Sequence, residues 1–264
     1  MGKKRRRWSE KQYQKYIKEG RGQGTGYDYI PWIKIHDFPS QGVCSRILGR
    51  TTGRIHHLLS RNESAYFYLL DCSPEVNDIR EQFPLRLQDT INIARSLGIR
   101  NPWHNPSDFP MVMTTDFLIT TSSGLKARTI KESSELSNKR IIDKFAIEHA
   151  YWKERHVDWK IVTEKQINFE KSYNLQWLFY GLPLDQLIPY SADRDSIMVS
   201  FLNLYESSEH SLTGIIDMIE SAHSLSPGTG MAVFKELIIQ GFIRVDLNQR
   251  IDPAEIFPKG ALHK

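Results

Sequence analysis

The chain has 264 residues, 40% hydrophobic and 25% charged, a balance that builds one large or two small cores in a soluble globular protein. Its 35 basic and 31 acidic residues leave a net charge of only +4, and its two cysteines, Cys44 and Cys72, are too few for a zinc cluster or a disulfide framework. No run approaches the roughly 20 apolar residues that span a bilayer, and the basic start lacks the apolar segment of a secretory signal, so no membrane partner and a cytoplasmic location are expected.

Lys3, Lys4, Arg5, Arg6 and Arg7 form a basic block, which suits a phosphate-binding arm and a solvated tail equally. Ser9 predicts the N-cap of a helix over residues 10–19, which Gly20 ends. The glycine-rich run 20–26 predicts a mobile loop. It follows a polar helix and opens no new one, so it is not a nucleotide-binding fingerprint. Arg21 and Gln23 make it a candidate DNA-contacting loop, with a plain linker as the alternative. Residues 45–50 and 54–59 predict a hairpin around Thr51-Thr52-Gly53. His56 and His57 are adjacent on its second strand, so they point to opposite faces and make a poor paired metal site. Arg46, Arg50, Arg54 and Arg61 form a second basic stretch that leads to Glu63 on an apolar helix over 62–70.

Beyond Ser73-Pro74, residues 76–84 alternate as a strand, 88–97 read as a helix and 102–110 as a loop. Two strands follow, over 113–119 and 125–131, then a long amphipathic helix over 136–155 and a strand over 159–163. This order predicts an α/β domain over residues 1–170, a mixed sheet flanked by helices. A second domain, 171–264, is expected to be mostly helical, with helices over 174–180, 196–206, 212–223 and 229–240 and a strand over 242–247. Helices followed by a terminal β-ribbon make a winged helix. The helix that would enter a DNA groove, 229–240, carries Lys235 as its only basic residue, so protein docking suits it at least as well as DNA.

The chemistry concentrates on the strand pair. Asp116 lies in the apolar run Met113-Thr114-Thr115-Asp116-Phe117-Leu118-Ile119, and Lys131 closes the partner strand Leu125-Lys126-Ala127-Arg128-Thr129-Ile130-Lys131. With Glu63 on a preceding helix, these are the parts of a metal-dependent nuclease. Carboxylates hold a hard cation, the cation polarises a phosphodiester and acidifies a bound water, and a lysine orients that water or stabilises developing charge. A surface hairpin with a salt bridge is the competing reading. The apolar neighbours of Asp116 argue against it, because buried charges are paired or metal-bound.

Glu19-Gly20-Arg21-Gly22-Gln23-Gly24, Asp28-Tyr29-Ile30-Pro31-Trp32, Gly53-Arg54-Ile55-His56-His57-Leu58-Leu59-Ser60 and Asp78-Ile79-Arg80-Glu81-Gln82-Phe83-Pro84-Leu85 resemble the TnsA family, as do residues 113–118, Tyr151-Trp152 and Ile167-Asn168. TnsA is the endonuclease subunit of a heteromeric cut-and-paste transposase, and the likeness runs over roughly residues 10–170. The resemblance implies a restriction-endonuclease-like domain followed by a winged-helix-like domain, with cleavage of the 5′ strands at transposon ends. It implies Mg²⁺ as cofactor, with Mn²⁺ as a substitute. The implied partners are double-stranded DNA, the recombinase TnsB and the ATPase regulator TnsC. The family's catalytic glutamate, aspartate and lysine fall on Glu63, Asp116 and Lys131, with the Ile130 carbonyl as a further metal ligand. Arg21, Gln23, Arg54 and His57 are candidate DNA contacts within these motifs. Thr129 departs from the pattern, since restriction enzymes carry an acid there and TnsA a glutamine. Glu148 is either an outer-sphere supporting residue or an ordinary surface glutamate. The rivals are a stand-alone restriction- or repair-type nuclease and an inactive DNA-binding adaptor.

Overall fold

The structure, a computed structural model, describes residues 8–37, 43–102, 109–207 and 210–253. The basic block at 3–7 and most of the expected loop at 102–110 lie outside the described residues. The chain divides into two compact units, Met1–Ile167 and Asn168–Lys264.

The first unit opens with α1 (Glu10–Lys18), whose N-cap Ser9 accepts from Gln12 N. β1 (Ser45–Leu48) and β2 (Ile55–Leu58) pair antiparallel as a separate ribbon. Then follow α2 (Arg61–Asp71), β3 (Val76–Pro84), α3 (Leu87–Ser96), β4 (Thr114–Thr121), β5 (Gly124–Ile130), α4 (Lys139–Lys153) and β6 (Asp158–Val162). The main sheet has the order β3-β4-β5-β6. Its first two pairings are antiparallel and β5-β6 is parallel, with α4 as the crossover a parallel pair requires. Leu118 and Ala127 pack with Ile93 and Ala94 of α3 and with Ile147, Tyr151 and Trp152 of α4. On the adjacent residue Phe117, the ring lies 5.9 Å from that of Tyr66 on α2. The sheet is covered on both faces, which is why β4 reads as an apolar run rather than a strict alternation.

Two expectations change here. The glycine-rich run is tied down rather than mobile. Gly22 N donates to Ile30 O at 2.6 Å, Gly26 N donates to Asp78 Oδ1 at 3.1 Å, and a Cβ on Gly22 would strike the Pro84 ring at 2.1 Å. The helix expected from residue 136 starts at Lys139, because the Asn138 side chain caps it by accepting from Arg140 N, and Ser133–Glu135 form a 3₁₀ turn instead.

The second unit contains α5 (Phe169–Phe179), α6 (Leu184–Leu187), α7 (Ser191–Ser207), α8 (Leu212–Ala222) and α9 (Thr229–Ile239) around Phe201, Ile219, Phe234 and Leu237. The strand expected at 242–247 is not formed. Ile243 N donates to Leu237 O, and the Asn174 amide donates to Leu247 O and Gln249 O at 2.9 and 2.6 Å. The segment satisfies its backbone against helices, and a strand without a partner has no such means. Among the described residues, no helix is long and apolar enough to cross a membrane.

Candidate active site

The segment from Leu59 to Glu63 closes on itself in a variant of the capping box, with the N–H of Leu59 in place of that of the N-cap Ser60. Ser60 Oγ accepts from Glu63 N at 3.1 Å and donates to Glu63 Oε1 at 2.9 Å, while Leu59 N donates to Oε2 at 2.9 Å. This fixes the Glu63 carboxylate at the N-terminus of α2, where the helix dipole favours negative charge. Asp116 arrives from β4, and its Oδ2 accepts from Ile130 N of β5 at 2.7 Å. Between the two stands a residue that the sequence did not single out. Gln82 Nε2, from β3, donates to Glu63 Oε2 and to Asp116 Oδ1, both at 3.3 Å.

Glu63 and Asp116 open on a cleft of about 350 Å³, shared with Thr129, Ile130, Lys131, Lys144 and Glu148. Glu148 is 3% exposed, so the surface alternative is overturned. Its Oε1 accepts from Thr115 Oγ1 and Thr129 Oγ1, each at 2.5 Å. Those hydroxyls in turn accept from the indole nitrogens of Trp152, at 2.7 Å, and Trp159, at 3.2 Å. Thr129 therefore carries no charge of its own to the site but anchors a carboxylate delivered from α4. Lys131 lines the cleft, with Nζ held by Glu135 Oε2 at 2.5 Å.

Loss of hydration raises the pKa of all three carboxylic acids. Glu63 is 7% exposed, and burial followed by the charge of Asp116 pushes it up. Asp116 keeps part of its surface open to the cleft, yet crowding by its neighbours still raises it, against the Ile130 N–H, the Gln82 amide and Lys131. Glu148 rises to about 7, mainly through burial. Neighbouring acids that resist ionisation need a cation to become fully charged. Among the described residues no three His, Cys, Asp or Glu side chains converge into a metal cage. Two neighbouring carboxylates instead suit a hard divalent cation that keeps several of its waters.

The candidate DNA contacts separate. Arg21 is buried, donating to Glu19 Oε2, Asp37 Oδ2 and Trp32 O at 2.8, 2.5 and 2.9 Å. Arg54 is buried as well, and its guanidinium donates to both Glu81 carboxylate oxygens at 2.9 and 2.6 Å. Both therefore serve the fold rather than a phosphate backbone. His57 is half-buried and its Nδ1 accepts from Ile35 N, with burial lowering its pKa. Gln23 alone of the four is exposed.

The chain matches the family described as TnsA-like endonuclease N terminal over residues 73–164, a span that takes in Gln82, Asp116, Lys131 and Glu148. It is also 35% identical over 250 residues to the transposon Tn7 transposition protein TnsA of Escherichia coli, an alignment covering 94% of this chain and 90% of that protein. The chain belongs to the TnsA family. It is thus an endonuclease that acts on DNA. The cleft is lined by acidic side chains from three separate parts of the fold, Glu63 at the start of α2, Asp116 on β4 and Glu148 in the middle of α4.

Proposed function

We propose that this TnsA-family chain is the metal-dependent subunit of a heteromeric transposase and cuts the 5′ strands at transposon ends. The observation that carries the reading is the pair Glu63 and Asp116, brought from α2 and β4 onto one amide at the edge of a cleft that Lys131 also lines. Mg²⁺, with Mn²⁺ as a substitute, supplies polarisation of the phosphodiester and a more acidic water. Glu63 and Asp116 hold it through oxygen, with the Ile130 carbonyl as a further ligand. Lys131 exchanges Glu135 for the reacting phosphate or water and stabilises developing charge. Thr129, Thr115 and Glu148 form the outer rank, where the threonine hydroxyls orient the glutamate. Water attack on phosphorus leaves a 5′-phosphate and a 3′-hydroxyl.

The small net charge of +4 and the ion-paired state of Arg21 and Arg54 give this chain little of the phosphate attraction that drives independent DNA binding. Positioning then falls to the recombinase partner, TnsB. The helical second unit, with α9 largely apolar, suits docking to the regulator, TnsC. The test mixes the full chain with its recombinase partner on end-labelled transposon DNA and maps the breaks. Wild type should nick the 5′ strands only with the partner and Mg²⁺. Asp116→Ala should lose about 10²-fold or more of that activity. Strong specific cleavage by the chain alone would point to a stand-alone restriction or repair enzyme, and 5′ breaks that persist in Asp116→Ala would point to an inactive adaptor.

A further inference from the structure

We infer that Gln82 closes the cation position: its side-chain amide stands between Glu63 and Asp116, and a divalent cation must displace it to reach both carboxylates. The inference rests on the metal-dependent reading above and names the residue that sets the cost of metal entry.

Gln82 is 2% exposed and has an unusual backbone, with φ of 49° in the left-handed region where non-glycine residues are uncommon. The conformation is fixed from both sides. Glu81 and Phe83 stay in register with Phe117 and Thr115, and Gln82 O accepts from Trp32 N at 3.3 Å. A side chain that would otherwise follow the strand is thereby aimed at the site. Its orientation is settled by chemistry. Nε2 faces two carboxylate oxygens, whereas Oε1 accepts from Thr114 Oγ1 at 3.3 Å. With Glu63 and Asp116 ionised, the reversed amide would set its oxygen against two anions and leave Thr114 without that acceptor.

An amide offers two protons but no net charge, so it bridges two carboxylates without neutralising them. Its bonds, at 3.3 Å, lie at the long end of the hydrogen-bond range. Mg²⁺ binds oxygen more closely than an amide N–H does, and a cation held by Glu63 and Asp116 would compete for the same carboxylate oxygens to which the amide donates. Gln82 holds the metal-free site and competes with the cation for its oxygens, so on this inference withdrawing the amide tightens metal binding.

Gln82→Asn is the informative variant. Asparagine tolerates the left-handed backbone, and its amide falls short of the carboxylates by one methylene. Electron paramagnetic resonance of free Mn²⁺ during titration of the full chain without DNA gives the dissociation constant independently of cleavage. Relative to wild type, Gln82→Asn should bind Mn²⁺ about tenfold more tightly, the scale expected when two long hydrogen bonds to carboxylates are lost. Its melting temperature should fall in EDTA and recover with Mn²⁺. Should the asparagine variant not fold, Gln82→Met keeps the length, removes both donors and should show the same tightening. Equal or weaker Mn²⁺ binding by the variant, with wild type binding and Asp116→Asn not, would overturn the closure while leaving the metal site standing. Absence of Mn²⁺ binding by wild type and variant alike would overturn the metal reading and the closure together.

Discussion

Two buried carboxylate clusters sit side by side in the first unit, served by consecutive residues of β3, and they are built on opposite principles. Glu81 receives the Arg54 guanidinium through both oxygens, His56 Nδ1 at 2.8 Å and the backbone N–H of His57 at 3.1 Å. Burial alone would raise its pKa, but His56 and Arg54 outweigh burial and hold it at about 2. One residue on, Gln82 reaches the other way, to Glu63 and Asp116, where no described arginine or histidine bonds the carboxylates and their pKa values rise. A carboxylate completed by the Arg54 guanidinium and the His56 ring ties the β1-β2 ribbon to the sheet. Carboxylates left short of protein cations are, on the proposed reading, the ones that take a cation from solution. The difference shows that burial alone does not set a carboxylate's charge; the presence or absence of a counter-charge does.

The largest effect should come from breaking the completed cluster. Arg54→Met leaves Glu81 buried with its main counter-ion gone and should cost about 3–5 kcal/mol, read by chemical denaturation. A loss under about 1 kcal/mol would mean that His56 alone completes the cluster.

The pH response sharpens the contrast. Glu81 is ionised in the folded chain where an unfolded glutamate, near 4.5, would be protonated, so its contribution is present above pH 4.5 and fades as pH falls toward 2. Glu148 runs the other way. The folded chain holds a proton that the unfolded chain releases above pH 4.5, so metal-free stability declines as pH rises from there through about 7. Glu148→Gln keeps an acceptor for Thr115 and Thr129 and removes the charge. In EDTA at pH 8 it should gain on the order of 1 kcal/mol, about 2–4 °C for a unit of this size, and gain nothing at pH 4. A gain at both pH values would trace the effect to packing rather than ionisation.

The smallest effect belongs to Glu135. Its pair with Lys131 joins side chains 30% and 46% exposed, a setting in which ion pairs contribute about 0–1 kcal/mol. Glu135→Gln should change melting temperature by less than 2 °C and cleavage with the recombinase partner by less than about fivefold, the rate equivalent of that energy. A larger loss of cleavage would give Glu135 a part in the chemistry beyond holding a resting lysine.

Local signals were legible because they act over a few residues. Ser9 capped α1 as expected, and the alternation of 76–84 matched β3 from Val76 to Pro84. The helix-and-hairpin order gave the mixed sheet. The strand expected at 242–247 failed for the converse reason, since apolar alternation does not supply a partner, and Asn174 captures that backbone instead. Glu63, Asp116 and Lys131 stood out in the sequence because each charged side chain interrupts or ends an apolar element.

What the sequence by itself determined is the set of elements and the residue types capable of metal and phosphate chemistry, both written in spacings of a few residues. Only the tertiary structure decided which charges are spent. Arg21 and Arg54 look like free cations in the chain but meet Asp37 and Glu81, 16 and 27 positions away. Glu148 looks like a surface acid but is drawn in by two threonines on the sheet. Gln82 looks like one more polar residue in a strand, and a backbone turned to positive φ aims it at two acids from other elements. Pairing and desolvation depend on distances between parts of the chain far apart in sequence, so they are fixed only when the sheet closes.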